Sequence, residues 1–377
     1  MLRDVQWTLR NLSTAVSLQQ TGSDRKCQKG IDVISPTPTR PRVVTLGEGL
    51  AVLVARPGPL EDSATFDRSA GGAEANVATV LAQLDVDAGW ISRVGNDGFG
   101  RYLVGHLARR GIDVDAVVVD PTRPTALYVK ERGGGSSAAT DLAEGESRML
   151  YYRTGSAASA FSPDDLTAAA ATRLLNDAAL VHITGITPAL SESAALMTDE
   201  LVSMPRRGRL VSFDVNCRPA LWAARSDDAA DVLGRHARGS DIVFVGADEA
   251  LTVFGTDDPA RLRAMFAEPE HLIVKNDAHT VTAFCGDERV DVPALRLDVV
   301  ERIGAGDAFA GGVLAGLLHG LGHEARIRLG HLCAAAALTG HGDVAELPPR
   351  ARLTELAALD SAQWAALDYA TTGHVTA

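Results

Sequence analysis

Near the end of the chain, the segment ERIGAGDAFAGGVLAGLL (residues 301–318) sets Gly304, Ala305, Gly306 and Asp307 ahead of an apolar run. Phe309, Val313, Leu317 and Leu321 recur at helical spacing, which predicts a helix opening at Ala305. The first N–H groups of a helix have no partner within it and lie at the positive end of its dipole. Two glycines let an anion reach those groups without obstruction by side chains. Asp307, in the same turn, is placed to take the proton of a hydroxyl that attacks such an anion. Phosphoryl transfer needs this combination of backbone donors for the moving charge and a base for the nucleophile. The simpler reading is that Asp307 only satisfies the helix start.

Other residues have types suited to the same chemistry. Gly71 and Gly72 precede the helically spaced AEANVATVLAQL. They form either a plain strand-to-helix turn or a close backbone approach to a polyol, with the amide of Asn76 offered to its hydroxyls. Arg218 follows the strand-like VSFDVN, a position where open α/β sheets bind ligands. Lys130 and Arg153 lie on the strand-like TALYVKE and SRMLYYRTG. A guanidinium grips a carboxylate with two hydrogen bonds, so these cations point to an acidic sugar unless they are merely solvated. Asp214, Asn216 and Glu249 suit Mg²⁺ held through water, since that ion takes few protein ligands. Asp248 and Glu249 serve equally well as the acidic first turn of the helix ADEALTVF.

Several other chemistries are excluded. There is no Walker loop, no HExxH zinc motif, and no protein-kinase HRD or DFG. A dinucleotide fingerprint would need Gly or Ala where Phe309 stands. A net charge of −12 over 377 residues provides no basic field for nucleic acid or anionic membranes. The four cysteines are scattered without CxxC spacing, which argues against a zinc site or disulfide framework and fits a reducing cytoplasm. No apolar run reaches the roughly 18 residues of a membrane span.

The elements that must position these residues can be read from pattern. Residues 1–40 read as a disordered or non-native extension, with a short amphipathic segment at Val5–Leu18. From residue 41 onward strands and helices alternate: RVVTLG, AEANVATVLAQL, WISRVG, and later RLVSFDV, SDIVFVG and HLIVKN. Such alternation implies parallel βαβ units, hence a layered α/β domain over 41–377. The alternation breaks at about 50–69 and 124–155, where strand-like segments follow one another. These predict a small antiparallel sheet that would form a lid. Gly311, Gly312 and Gly316 inside the last-named apolar helix cost about 1 kcal/mol each relative to alanine, which suggests close packing against another backbone.

The segment IGAGDAFAGGVLAGLL resembles the C-terminal signature of the ribokinase-like (PfkB) carbohydrate kinases, and SAGGAEANVATVLAQLDVDAGWISRVGNDGFGRYL is similar to their N-terminal one. LGEGLAVLV, PTALYVKE, RMLYYRTGSAAS, FDVNCRPALW and HGDVAELP resemble the 2-keto-3-deoxygluconate kinases within that family. The resemblance implies a Rossmann-like domain with a β-sheet lid, ATP as donor, Mg²⁺ as cofactor and a homodimer formed through the lid. It implies Asp307 as base, Gly304 to Asp307 as anion hole, and Tyr128, Lys130, Arg153 and Arg218 facing the sugar acid. It places Asn216, Lys275, Asp277, Thr280 and His331 on the nucleotide side, where Asp277 and Thr280 stand in place of usual glycines and His331 in place of a usual Asn. Two alternatives stay open: a kinase of a neutral sugar or nucleoside on the same architecture, and a catalytically silent sugar-binding protein.

Overall fold

The computed structural model describes residues 42–276, 279–340, 342 and 344–369. The expected extension over 1–40, its segment Val5–Leu18, and Asp277 lie outside those residues. The strands are β1 (Arg42–Leu46), β2 (Leu50–Ala55), β3 (Phe66–Gly71), β4 (Asp87–Gly95), β5 (Val117–Asp120), β6 (Leu127–Arg132) and β7 (Ser147–Tyr152). They continue as β8 (Ala178–Thr184), β9 (Leu210–Asp214), β10 (Ile242–Gly246), β11 (His271–Asn276), β12 (Thr280–Cys285) and β13 (Glu288–Pro293).

Among the described residues nine strands form one sheet in the order β13-β12-β11-β10-β9-β8-β1-β4-β5. It is parallel from β5 to β11 and antiparallel only at the β11-β12-β13 edge. Both faces are covered, as a parallel sheet requires. Alternate residues of one strand therefore enter different cores: Val43 and Phe244 one, Val44 and Val243 the other. The strand order reverses direction at β1, whose neighbours are β4 and β8. Crevices beyond the strand ends at such reversals are where open α/β sheets take ligands.

The second sheet has four strands in the order β3-β2-β6-β7. The expected antiparallel pairing holds for the outer pairs only: β2 and β6, far apart in the chain, pair in parallel. One face carries a small core of Leu50, Val52, Ala126 and Tyr128, whereas Phe66, Tyr151 and Tyr152 remain exposed. Among the described residues no helix is long and apolar enough to cross a membrane.

Four helices matter for the site: α1 (Ala73–Gln83), α2 (Ala247–Phe254), α3 (Ala305–Leu318) and α4 (His323–Leu338). The glycines of α3 account for their own cost. A Cβ on Gly311 would fall 2.7 Å from Val80 of α1, and one on Gly312 would fall 2.8 Å from the Leu329 carbonyl oxygen of α4. This small-residue helix is wedged between two others, and its N-terminus is thereby fixed in space.

Candidate active site

The carboxyl ends of β1, β8, β9, β10 and β11, the lid and the start of α3 enclose a cleft of about 1280 Å³. Single small-ligand sites span about 300–1,000 Å³, so the cleft has room for two substrates. At its floor Gly304 adopts a left-handed backbone with φ 77° and opens α3 without a side-chain cap. Asp307, an acidic residue of the first turn, is therefore not the helix's N-cap. Its Oδ2 instead accepts a 2.8 Å hydrogen bond from Nδ2 of Asn76 on α1. The amide expected to bind sugar hydroxyls is thus spent, at least through one N–H, on orienting the carboxylate.

Burial raises Asp307 from an ordinary 3.8 to about 7, and the negative charges of Asp214 and Glu74 add to the effect. The Asn76 hydrogen bond and the Arg218 charge pull the other way and are outweighed. A carboxylate poised near neutrality is suited to general-base work. Beside it, a Cβ on Gly306 would stand 3.8 Å from Nζ of Lys275 and meet nothing closer. The space over this glycine is left open by the protein, with an ammonium at its edge.

Lys275 donates to Oδ2 of Asp214 at 2.9 Å. Burial alone would lower the lysine, but the charges of Asp214, Glu249 and Asp307 raise it, so it stays protonated. Asp214 Oδ1 is buried without a hydrogen-bond partner. Glu249 is raised by burial and then by Asp214. Its oxygens accept the backbone N–H groups of Gly246, at 3.2 Å, and of Cys217. Glu249 thus serves the first turn of α2 and faces the cleft at once. Among the described residues no three acidic, His or Cys side chains cluster as a metal site. An unpartnered carboxylate oxygen next to a second carboxylate still fits an ion that keeps its waters and takes phosphate oxygens.

Asn216 follows β9 in a left-handed conformation (φ 33°), which asparagine tolerates better than most residues. The turn presents Arg218 to the cleft, where it makes a long 3.4 Å hydrogen bond to the Cys217 carbonyl. Among the described residues Arg218 has no salt-bridge partner. Tyr128 also lines the cleft, its ring centroid 5.2 Å from that of Tyr151. Gly72, with φ 121°, lies so close to Glu48 that a Cβ would fall 2.4 Å from the Glu48 carbonyl oxygen.

Other expected residues are placed differently. Gly71 is buried at the end of β3, and Thr280 begins β12; neither lines the cleft. Lys130 is not on the cleft wall either: it is 2% exposed and paired with Glu301 at 2.5 Å. The lid strand carries Lys130 past the cleft, onto a carboxylate that precedes the turn into α3. Arg153 lines the cleft but is ion-paired with Glu48, whose other oxygen accepts from Ser156 at 2.5 Å. His331 packs edge-on against Phe309 and donates from Nε2 to the Val292 carbonyl at 3.3 Å. Burial lowers it to about 4, so it is neutral. Leu297, Val299, Ala335 and Leu338 give its end of the cleft an apolar wall.

Sequence reasoning missed Glu48 and Glu74. Glu74 is 1% exposed, and its Oε1 accepts from the Thr184 amide (3.1 Å), the Thr184 hydroxyl (2.8 Å) and the Thr187 hydroxyl (3.1 Å). Burial raises it to about 7. A lone acidic residue beside a glycine or in a helix's first turn ordinarily reads as solvated, so neither carried a signal.

A profile of pfkB family carbohydrate kinases matches residues 41–350. The chain is 34% identical over 340 residues to a 2-dehydro-3-deoxygluconokinase of Thermoproteus tenax, covering 89% of this chain and 98% of that protein. It is 33% identical over 289 residues to a fructokinase of Klebsiella pneumoniae, covering 74% and 88%. The crystal structure of a PfkB protein from Polaromonas sp. JS666 superposes with a TM-score of 0.72 at 34% identity, covering 84% of this chain and 99% of that one.

Proposed function

The chain belongs to the pfkB family of carbohydrate kinases, phosphotransferases acting on an alcohol group, and we propose that its acceptor is a sugar acid of the 2-keto-3-deoxygluconate type with ATP as donor. One observation carries the choice of an acid. Arg218 is exposed to the sugar end of the cleft with no salt bridge among the described residues, whereas the neighbouring Arg153 is neutralised by Glu48. A guanidinium left unpaired beside the base is a site for a carboxylate.

In this reading Asp307 accepts the proton of the sugar's primary hydroxyl. That oxygen forms a bond to the γ-phosphorus as the bond from phosphorus to the β–γ bridging oxygen breaks, and ADP leaves. The N–H groups at the start of α3 and the ammonium of Lys275 face the charge that develops. Asp214 and Glu249 would hold Mg²⁺ through water, and the ion would neutralise the triphosphate. The apolar wall around His331 would take the adenine. A second copy of the chain covering Phe66, Tyr151 and Tyr152 completes the reading; a monomer by sedimentation equilibrium would remove it.

The fructokinase resemblance supports a neutral-sugar alternative. A coupled assay with ATP and Mg²⁺ over 2-keto-3-deoxygluconate, its galacto epimer, fructose and ribose separates the two. The acids are expected to show the highest kcat/KM. Equal or better turnover of fructose would reject the acid, and absence of nucleotide binding by calorimetry would reject catalysis altogether.

A further inference from the structure

We infer that Lys130 and Glu301 form a latch that positions the anion-hole turn against the lid, so that the sugar-side sheet and the phosphoryl-transfer turn move together. The inference rests on the phosphotransferase activity and not on which sugar is accepted. Tyr128 and Lys130 stand two residues apart on β6 and so share a face. Tyr128 reaches the cleft; Lys130 continues past it to Glu301 at 2.5 Å, the side chains being 2% and 11% exposed. Ser147 of β7 donates to the same Oε2 of Glu301 at 3.3 Å. Glu131, the next residue on β6, does not compete for the lysine, because it is paired with Arg148 at 2.6 Å.

On the other side, the N–H groups of Val300 and Glu301 both donate to the Leu338 carbonyl at the end of α4, at 2.8 and 3.1 Å. The other carboxylate oxygen of Glu301 accepts from the Arg302 amide at 3.2 Å. Residues 300–302 are thus tied to the helical body by backbone and to two lid strands by one side chain. Three residues beyond Glu301, Gly304 makes its left-handed turn into the anion hole. A buried ion pair adds little net stability over apolar residues of the same volume, but removing one partner leaves an uncompensated buried charge, so the two groups stay together. Here the pair joins the lid to the segment that leads into the turn at Gly304.

Lys130→Met, Glu301→Gln and the double variant test this, assayed with ATP and 2-keto-3-deoxygluconate, or with fructose if the wild type does not use the acid. Failure of the substrate assignment then shows in the wild type; failure of the latch shows only in the variants. Misplacement of the turn is expected to lower kcat about tenfold, with both KM values within about twofold. The double variant is expected to be no worse than either single one, because the pair acts as a unit. Amide exchange should quicken together over 127–132, 147–152 and 300–306. The double variant leaves no buried charge unpaired, so it remains informative where a single variant fails to fold. A raised sugar KM at unchanged kcat would make Lys130 a direct ligand and overturn the latch. A lower melting temperature at unchanged kcat would overturn it in favour of a purely structural pair.

Discussion

The floor of the cleft and its lid use charge in opposite ways. At the floor, the start of α3 offers backbone donors and a single carboxylate that accepts a hydrogen bond from the neutral Asn76. In the lid three cations meet carboxylates: Arg153 meets Glu48, Lys130 meets Glu301, and Arg148 meets Glu131. Charge left unbalanced, as on Asp307 and Arg218, is available to a substrate. Charge already balanced aligns one part of the molecule with another. The same residue types are therefore left available in one region and matched to one another in the other.

The sharpest test of that contrast removes the floor's charge. Asp307→Asn is expected to lower kcat by about 10²–10⁴-fold while sugar binding, measured calorimetrically, is largely retained. Near-normal turnover would dissolve the distinction. The same variant has a thermal signature. Asp307 rises from 3.8 to about 7 in the folded protein, so it binds a proton more tightly folded than unfolded. Its contribution to stability is present below about pH 4 and is lost as the pH rises through about 7. Asp307→Asn should therefore melt higher than wild type at pH 8, by roughly 2–4 °C, and alike at pH 4.

Removing the unpaired cation comes next in size. Arg218→Met should raise the KM for the sugar acid about 10- to 100-fold, the worth of charged hydrogen bonds, and leave that for fructose unchanged. Assays well above pH 7 keep Asp307 ionised, which matters because Arg218 helps to hold its proton affinity down. A uniform loss for acid and neutral sugars would return Arg218 to the balanced, aligning class.

The smallest effects are shifts of the acid limb of the pH–rate profile. Asn76 favours the charged form of Asp307 and Glu74 disfavours it. Asn76→Ala should move the limb to higher pH and cost roughly two- to tenfold in activity at pH 6 relative to pH 8. Glu74→Gln, whose amide oxygen can still accept from Thr184 and Thr187, should move it to lower pH. Limbs that stay in place in both would show that Asp307 is not the titrating base.

Legibility followed how local the physics was. The α/β layering was readable because each strand and helix carries its own period. The helix opening at Ala305 was readable because Gly304 breaks the strand-like run and the apolar residues after it recur at helical spacing. The glycines of α3 announced close packing, although not that Val80 and Leu329 would be the neighbours. Lys130 was misplaced because a strand pattern tells which face a side chain takes, not how far along that face the ligand ends. Asn76 was legible as a polar residue among apolar ones, but its partner lies 231 residues away.

By itself the sequence determined the layered architecture, the presence of a second sheet though not its parallel β2-β6 pair, and the turn into α3, since periodicity and glycine placement act over a few residues. Only the tertiary structure decided which charges are spent. Whether Arg153, Lys130 or Arg218 is available depends on carboxylates from distant segments, and a desolvated ion pair forms or fails on separations of a few ångströms that no spacing in the chain encodes. The proton affinity of Asp307 was settled in the same way, by the burial and neighbouring charges that folding brings to it.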